Sequence, residues 1–207
     1  MAALFLFVAA GLSGSFVSAS LQKSVKERYG IFAANRFKAL NALIEKLQGA
    51  DERTKLEEVN AFWNGVRFSD DKKVWGVSDY WATPWEFLAR DAGDCEDYVI
   101  AKYFTLKYLG VSPAKMYFTY VRALRFNKPH MVLTYFEKSG SEPLILDNIN
   151  YKIFPASQRE DLVPVYNFNG DELSSYSGRS GKVSDRKSLK VKKRWDRLLE
   201  NIAKGKI

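Results

Sequence analysis

The chain contains one cysteine, Cys95, and one histidine, His130, and this pair of residue types can perform nucleophilic catalysis. Cys95 lies between two acids in the hexapeptide GDCEDY, and His130 begins the segment HMVLTY. Asp147 directly follows the short apolar run LIL. In a nucleophilic triad the thiol attacks, the imidazole accepts its proton, and a carboxylate orients the imidazole. Cys95, His130 and Asp147 are therefore the candidate catalytic residues.

Each of these residues also has an ordinary structural interpretation. A lone cysteine is usually a buried small hydrophobe, a lone histidine in a turn is often incidental, and an aspartate after a strand usually forms a turn. Two features favour catalysis: Cys95 lies in a polar segment, where a packing cysteine is not expected, and His130 is the only histidine. Residue types alone leave both interpretations open.

Three acids surround the candidate nucleophile: Asp94, Glu96 and Asp97. Negative neighbours raise the pKa of a thiol and so weaken it as a nucleophile, and a bound cation would remove this conflict. The carboxylates offer hard oxygen ligands of the kind that calcium prefers, although their spacing is not that of an EF-hand loop. Acids in a first helical turn also cap the helix without any metal. The residues themselves leave calcium binding and capping equally open.

The thiol must be held by a defined element, and the pattern around it predicts a helix from Cys95 to Leu109. Apolar residues recur there at helical spacing, Asp94 is a good N-cap residue, and Gly110 ends the helix. Cys95 then lies in the first turn, where unpaired backbone N–H groups and the helix dipole stabilise a thiolate.

The remaining elements divide into a helical half and a strand-rich half. Amphipathic patterns predict helices over 23–47, with a possible break near Gly30, and over 54–63, whereas 66–84 is predicted to be an ordered aromatic loop. Alternating patterns predict antiparallel strands over 115–123, 131–136 and 144–146. The sequence therefore predicts an α+β fold, with helices packed on an antiparallel sheet in two layers. His130 and Asp147 are expected to lie side by side on neighbouring strands.

The net charge of +8 over 207 residues is concentrated at one end of the chain. Residues 182–207 hold ten Lys or Arg and three acids, whereas 79–97 holds six acids and one base. A nucleic-acid groove requires the opposite sign at its centre, so we expect no nucleic-acid partner for the main domain. Residues 189–202 form a basic amphipathic pattern, which predicts a helix packed on the body through Trp195 and Leu198. A non-catalytic basic adaptor remains an alternative.

Composition also bears on the domain organisation and on the compartment. One cysteine and one histidine exclude a disulfide framework and a zinc site built from these residue types. Residues 1–19 carry no charged side chain, and their run of 11 apolar residues has the length of a signal-peptide core, with cleavage expected after Ala19. A buried N-terminal helix is the alternative. We predict a signal peptide over 1–19, a domain with the candidate catalytic residues over 20–170, and a linker with a C-terminal helix over 171–207.

Several motifs in order along the chain resemble the bacterial transglutaminase-like cysteine proteinases. The resemblance covers roughly residues 55–151. It is carried by these segments: Asp79-Tyr80-Trp81-Ala82-Thr83-Pro84, Gly93-Asp94-Cys95-Glu96-Asp97-Tyr98, Ala101-Lys102-Tyr103, Pro129-His130-Met131-Val132-Leu133-Thr134 and Leu146-Asp147-Asn148. The resemblance implies a papain/transglutaminase-like fold and a calcium-dependent cysteine endopeptidase of the periplasm.

Carried over by position, the resemblance implies that Cys95 is the nucleophile, His130 the base and Asp147 the orienting acid. It further implies that Asp94 and Glu96, and with them Asp97, bind calcium. The implied substrate is the N-terminal region of a large surface adhesin, cut at a site of small residues, so that cells leave a biofilm. The implied partner is the periplasmic domain of an inner-membrane receptor that senses cyclic di-GMP. Acyl transfer to amines, as in a transglutaminase, is the alternative reaction.

Overall fold

The computed structural model describes residues 15–175 and 186–207. Its helices are α1 (Ala19–Leu47), α2 (Glu52–Asn64), α3 (Asp71–Val74), α4 (Pro84–Arg90), α5 (Cys95–Tyr108), α6 (Gly170–Ser175) and α7 (Arg186–Ala203). Its strands are β1 (Arg67–Phe68), β2 (Ala92–Gly93), β3 (Met116–Ala123), β4 (Lys128–Tyr135), β5 (Leu144–Leu146), β6 (Phe154–Pro155) and β7 (Leu162–Phe168). Residues 1–14 of the predicted signal peptide and 176–185 of the predicted linker lie outside the described residues.

The first helix confirms the pattern expected from its sequence. The Ser18 hydroxyl accepts a hydrogen bond from the Leu21 N–H at 3.1 Å and so caps α1. The helical path breaks at Gly30, whose φ of 82° lies in the left-handed region that favours glycine. Just before the cap, Phe16 and Val17 are buried, and the Trp85 indole donates to the Phe16 carbonyl at 3.0 Å. The residues before the expected cleavage position therefore pack on the body.

Five strands form the main sheet in the order β6-β5-β4-β3-β7, and every neighbouring pair is antiparallel. The three predicted strands are present, although β4 begins at Lys128, three residues earlier than expected, because the turn before it is tighter. Neither β6 nor β7 was predicted. Strand β7 is mostly exposed and contains Pro164, so it lacks the alternation that identifies a half-buried strand.

The helices and the sheet enclose one aromatic-rich core, which confirms the predicted α+β class. Trp63 of α2 stacks on Phe87 of α4 with ring centroids 5.7 Å apart. Phe87 in turn meets Tyr98 of α5 edge-on at 4.8 Å. Helix α5 packs on β4 and β3, where Tyr103 contacts Phe118 at 4.9 Å. The helix that carries the candidate nucleophile is thus fixed on both sides.

The segment 66–90 contains more regular structure than the predicted loop. It holds β1, α3 and α4, of which α4 begins with a capping box between Thr83 and Glu86 and has Pro84 at its first position. This Thr-Pro-x-Glu pattern is a recognisable helix start, but a helix of seven residues is too short to show apolar periodicity.

The basic C-terminal helix is confirmed and contributes to the main core. Val191, Trp195 and Leu198 of α7 are buried, and the Trp195 ring lies 5.3 Å from that of Phe118 on β3. None of the helices in the described part of the chain combines the length and the apolar character needed to cross a bilayer.

Candidate active site

Cys95 is the first residue of α5, as predicted, and only the N-cap residue Asp94 separates it from β2. The parallel pairing of β1 with β2 places Phe68 opposite Gly93. A Cβ at Gly93 would lie 2.3 Å from Asp97 Oδ2 and 2.7 Å from a ring carbon of Phe87, so this approach requires glycine. Close packing at Gly93 therefore fixes the position of the helix start and, with it, the position of the Cys95 thiol.

The thiol of Cys95 is half-buried between an acidic side chain and strand β4. Its Sγ donates a hydrogen bond to Glu96 Oε2 at 2.9 Å. The backbone N–H of Met131, the residue after His130, lies close enough to the sulfur to favour its ionised form slightly. Burial raises the pKa of the Cys95 thiol well above its usual range, and the charges of Glu96 and Asp94 raise it further. The expected conflict between acids and nucleophile is therefore present.

His130 and Asp147 lie close together, as expected for residues on neighbouring antiparallel strands. Leu133 of β4 pairs with Leu146 of β5, which places the next residue, Asp147, near the His130 end of β4. His130 Nε2 lies 2.7 Å from Asp147 Oδ1, and both side chains are buried. Because Nε2 is engaged by the carboxylate, Nδ1 is the ring nitrogen left to accept a proton from a thiol.

Asp147 is held by more groups than the sequence indicated. Its carboxylate accepts the Ile149 N–H at 3.0 Å and Arg159 Nη2 at 2.7 Å, and its carbonyl accepts Asn64 Nδ2 at 2.8 Å. Burial raises the pKa of Asp147, but its hydrogen bonds and the charges of His130 and Arg159 outweigh burial and hold the pKa well below its usual range. Asn64 comes from the distant helix α2 and Arg159 lies twelve residues after Asp147, and no local motif marks either of them.

A buried cluster of carboxylates lies beside the thiol. Oxygen atoms of Asp71, Asp94 and Asp97 lie within 4.8 Å of one another, and Asp94, Cys95 and Glu96 form a second such group. Asp97 caps its own helix: its Oδ2 accepts the Asp94 N–H at 3.3 Å, and its Oδ1 accepts the Ala82 N–H at 2.9 Å. Asp71, on the short helix α3, was missed by the sequence analysis because it lies more than twenty residues before the motif.

The cluster has the charge and the vacant oxygens that a cation requires. Asp71 Oδ1 and Asp94 Oδ1 are buried and have no hydrogen-bond partner among the described residues. Burial and the charges of neighbouring acids raise the pKa of Asp71 to about 6 and that of Asp94 to about 10. Burial likewise raises the pKa of Asp97 well above its usual range. Several hard oxygens that repel one another in this way fit a calcium ion.

Two indoles lie near the start of α4: Trp81 is in the loop before this helix, and Trp85 is in its first turn. The Trp85 N–H is used by the Phe16 carbonyl, and the Tyr80 hydroxyl donates to Glu86 Oε1 at 2.8 Å. In contrast, Trp81 Nε1 is buried without a hydrogen-bond partner in the described part of the chain. Of these two indoles, Trp81 is therefore the one whose N–H remains available as a hydrogen-bond donor.

Comparison with known families agrees with this geometry. Residues 39–162, more than half of the chain, match the family described as bacterial transglutaminase-like cysteine proteinase BTLCP. The chain belongs to this family of cysteine proteinases. No curated protein sequence matches the chain significantly.

Solved structures of Legionella pneumophila LapG are similar to this transglutaminase-like cysteine proteinase over nearly the whole chain. One has 38% identity and a TM-score of 0.71, and the match covers 88% of this chain and 96% of that one. An EGTA-treated structure of the same protein gives the same values. A calcium-bound structure has 35% identity and a TM-score of 0.71, with coverage of 90% and 99%. The predicted papain/transglutaminase-like fold is therefore confirmed.

Proposed function

We propose that this cysteine proteinase is a calcium-dependent endopeptidase in which Cys95, His130 and Asp147 form the catalytic triad. The observation that carries the proposal is the position of the thiol. It lies close to the backbone of Met131, the residue after His130, and His130 Nε2 is held by Asp147 at 2.7 Å. These two observations support the assignment of a nucleophile, a base and an orienting acid.

In the proposed reaction, His130 Nδ1 accepts the thiol proton and the thiolate attacks the scissile carbonyl. The imidazolium then protonates the leaving amine, which leaves the acyl group on sulfur as a thioester. Water, deprotonated by His130, hydrolyses the thioester and regenerates the thiol. Asp147 keeps the same imidazole orientation throughout, because its Oδ1 continues to accept the Nε2 proton.

The oxyanion formed during attack requires donors next to the sulfur. The backbone N–H of Cys95 lies in the first turn of α5, where amides have no acceptor within the helix. We assign the second donor to the Trp81 indole, because its N–H is buried and has no hydrogen-bond partner among the described residues.

Asp71 and Asp94, together with Glu96 and Asp97, are the residues that would hold calcium. Their buried, mutually repelling oxygens support this assignment, as does the calcium-bound structure of Legionella pneumophila LapG. When bound, the ion supplies positive charge that neutralises the carboxylates beside the thiol. Glu96 accepts the Sγ hydrogen bond at 2.9 Å, and a cation held by these carboxylates would weaken the hold of Glu96 on the thiol proton.

The proposed biological role follows from the family and from the similarity to LapG. We propose that the chain is exported to the periplasm after cleavage behind Ala19. There it cuts the N-terminal region of a large surface adhesin and releases the adhesin, which promotes biofilm dispersal. The periplasmic domain of a cyclic di-GMP-sensing inner-membrane receptor is the proposed regulatory partner.

Incubation with the N-terminal fragment of a candidate adhesin tests this function. We expect two discrete fragments in the presence of calcium, and none with a calcium chelator or with Cys95→Ala. Cleavage that survives the chelator contradicts the calcium requirement, and cleavage that survives Cys95→Ala contradicts the assigned nucleophile. Cross-linked products with added amines would instead identify a transglutaminase. A biological activity retained by Cys95→Ala would indicate a basic adaptor.

A further inference from the structure

Arg159 forms a continuous bridge between the protein surface and the catalytic carboxylate. Its guanidinium is buried and grips Asp161 with two hydrogen bonds of 2.8 Å, one from Nε to Oδ1 and one from Nη2 to Oδ2. The same Nη2 reaches Asp147 Oδ2 at 2.7 Å. Two hydrogen bonds to one carboxylate define the plane of a guanidinium, so Asp161 fixes the direction from which Arg159 approaches Asp147.

The two oxygens of Asp147 have different partners. Oδ1 accepts His130 Nε2 at 2.7 Å and the Ile149 N–H at 3.0 Å. Among the described residues, the hydrogen bond on Oδ2 comes from Arg159. A carboxylate held at both oxygens cannot rotate about its Cβ–Cγ bond, whereas one held at Oδ1 alone can turn within its broad torsional range.

Another cation near Asp147 cannot provide this orientation. Lys102 is fully buried and close enough to Asp147 for their charges to interact, but its Nζ has no hydrogen-bond partner among the described residues. Lys102 therefore affects the charge near Asp147, but it makes no hydrogen bond that would orient the carboxylate.

Burial of the Arg159 guanidinium also has a cost in folding stability. Its Nη1 is buried with no hydrogen-bond partner in the described part of the chain, which is destabilising. Buried ion pairs are often no better for stability than apolar residues of the same size, so stability alone does not explain an arginine here.

We propose that Arg159 is a positioning residue for catalysis, which locks the plane of the Asp147 carboxylate and thereby the orientation of the His130 imidazole. This inference rests on the proposed role of His130 as the base. In the locked arrangement the proton remains on Nε2, and Nδ1 is presented to the thiol. Loss of the lock lets the imidazole turn, so the enzyme loses catalytic rate and keeps its substrate affinity.

Because the chain has a single histidine, ¹⁵N labelling of histidine reports on His130 alone. In the wild-type protein we expect the signal of a hydrogen-bonded Nε2 proton, shifted well downfield. In Arg159→Met this signal moves upfield or broadens away, and kcat falls about 10- to 100-fold while KM changes less than about twofold. Arg159→Lys keeps the charge but loses the two-pronged grip on Asp161, so it restores only part of kcat.

Arg36→Met is the matched control. Like Arg159, Arg36 makes several polar contacts: it donates to the carbonyls of Leu88 and Ala89 at 2.9 and 2.8 Å and pairs with Asp91. These contacts join α1 to α4 and do not involve Asp147. This variant should unfold at a lower temperature and keep both the imidazole signal and kcat. An equal loss of kcat in Arg36→Met would overturn the proposal.

The proposal is also wrong if Arg159→Met folds and keeps the Nε2 proton signal and a kcat within about twofold of wild type. If Arg159→Met does not fold, Arg159→Lys decides by the same two measurements. The imidazole signal needs no substrate. A wild-type protein that shows the signal but cleaves nothing therefore contradicts the proposed function and leaves the orientation by Arg159 separately measurable.

Discussion

Two neighbouring tryptophans, Trp81 before α4 and Trp85 in its first turn, differ in the hydrogen-bond partners of their indole N–H groups. The Trp85 donor holds the N-terminal segment through the Phe16 carbonyl, whereas the Trp81 donor has no partner among the described residues. A buried donor without an acceptor is destabilising unless an acceptor arrives during function. The oxyanion of the proposed reaction would be such an acceptor, and this is the role that we propose for Trp81.

Trp81→Phe should lower kcat and leave KM nearly unchanged. Loss of one oxyanion donor typically reduces kcat by about 10²–10³-fold, since the bond forms only in the transition state. Steady-state kinetics on a peptide from the cleaved region measures both constants. Trp85→Phe is the control, and we expect it to have little effect on kcat. Equal kinetics for Trp81→Phe and wild type would remove Trp81 from the oxyanion site.

Among individual site residues, the sequence identifies those that are of a rare type or that adjoin a motif. Cys95 and His130 stand out because each is the only residue of its type, and Asp147 stands out because it ends a predicted strand. Asp71 and Arg159 do not, because the structure that brings them to the site is tertiary and their sequence neighbours are ordinary polar residues. The candidate triad was thus predictable, and most of the groups that hold it were not.

Among the elements, the junction of β2 with α5 determines the position of the thiol. Gly93 has no side chain because Asp97 and Phe87 occupy the space where one would lie. Asp97 is also fully buried and accepts the Asp94 and Ala82 amides, so it links the helix start to the loop that carries Trp81. Movement at this glycine would displace the nucleophile and its surroundings together.

Gly93→Ala should therefore reduce both stability and activity. Overpacking of this kind typically destabilises by about 1–3 kcal/mol, and here the clash falls directly on Asp97 and on the ring of Phe87. Chemical denaturation and peptide cleavage measure the two effects. Gly65→Ala, whose added Cβ would meet only the Phe62 carbonyl at 3.1 Å, should change both much less. A fully active, fully stable Gly93→Ala protein would contradict the importance of this contact.

The sequence predicts elements well where one face is buried along several turns or several residues. Helix α5, its end at Gly110 and the strands β3 and β5 follow from periodicity and from turn residues. Helix α4 and strand β7 do not, because the first has seven residues and the second is an exposed edge strand that contains a proline. Their structure depends on neighbours that are distant in the sequence.

Negative and positive charges lie in different parts of the molecule. Net charge is +8, yet the buried centre near the thiol is a cluster of acids, and the basic helix α7 contributes Trp195 and Leu198 to the core. Asp79 at the edge of the cluster pairs with Lys190 of α7 at 3.5 Å and with Arg194. The positive end of the chain is therefore packed against the acidic centre.

Calcium should raise the unfolding temperature of protein first treated with a chelator. A ligand that binds only the folded state at 100 times its Kd stabilises by about 2.7 kcal/mol. Asp71→Asn should show little of this response and should unfold at a higher temperature than wild type in the chelator, because one repelling charge is gone. Asp70→Asn, at an exposed neighbouring acid, is the control and should behave as wild type. An undiminished calcium response in Asp71→Asn would exclude Asp71 as a ligand.

Trapping of the acyl-enzyme tests the catalytic role of Cys95 most directly. Acid quenching of a cleavage reaction, followed by mass spectrometry of the intact chain, detects a thioester between Cys95 and the N-terminal product. We predict an adduct of that mass on the wild-type protein, released by hydroxylamine and absent from Cys95→Ala. Cleavage without an adduct, in both the wild type and Cys95→Ala, would contradict the assignment of Cys95 as the nucleophile.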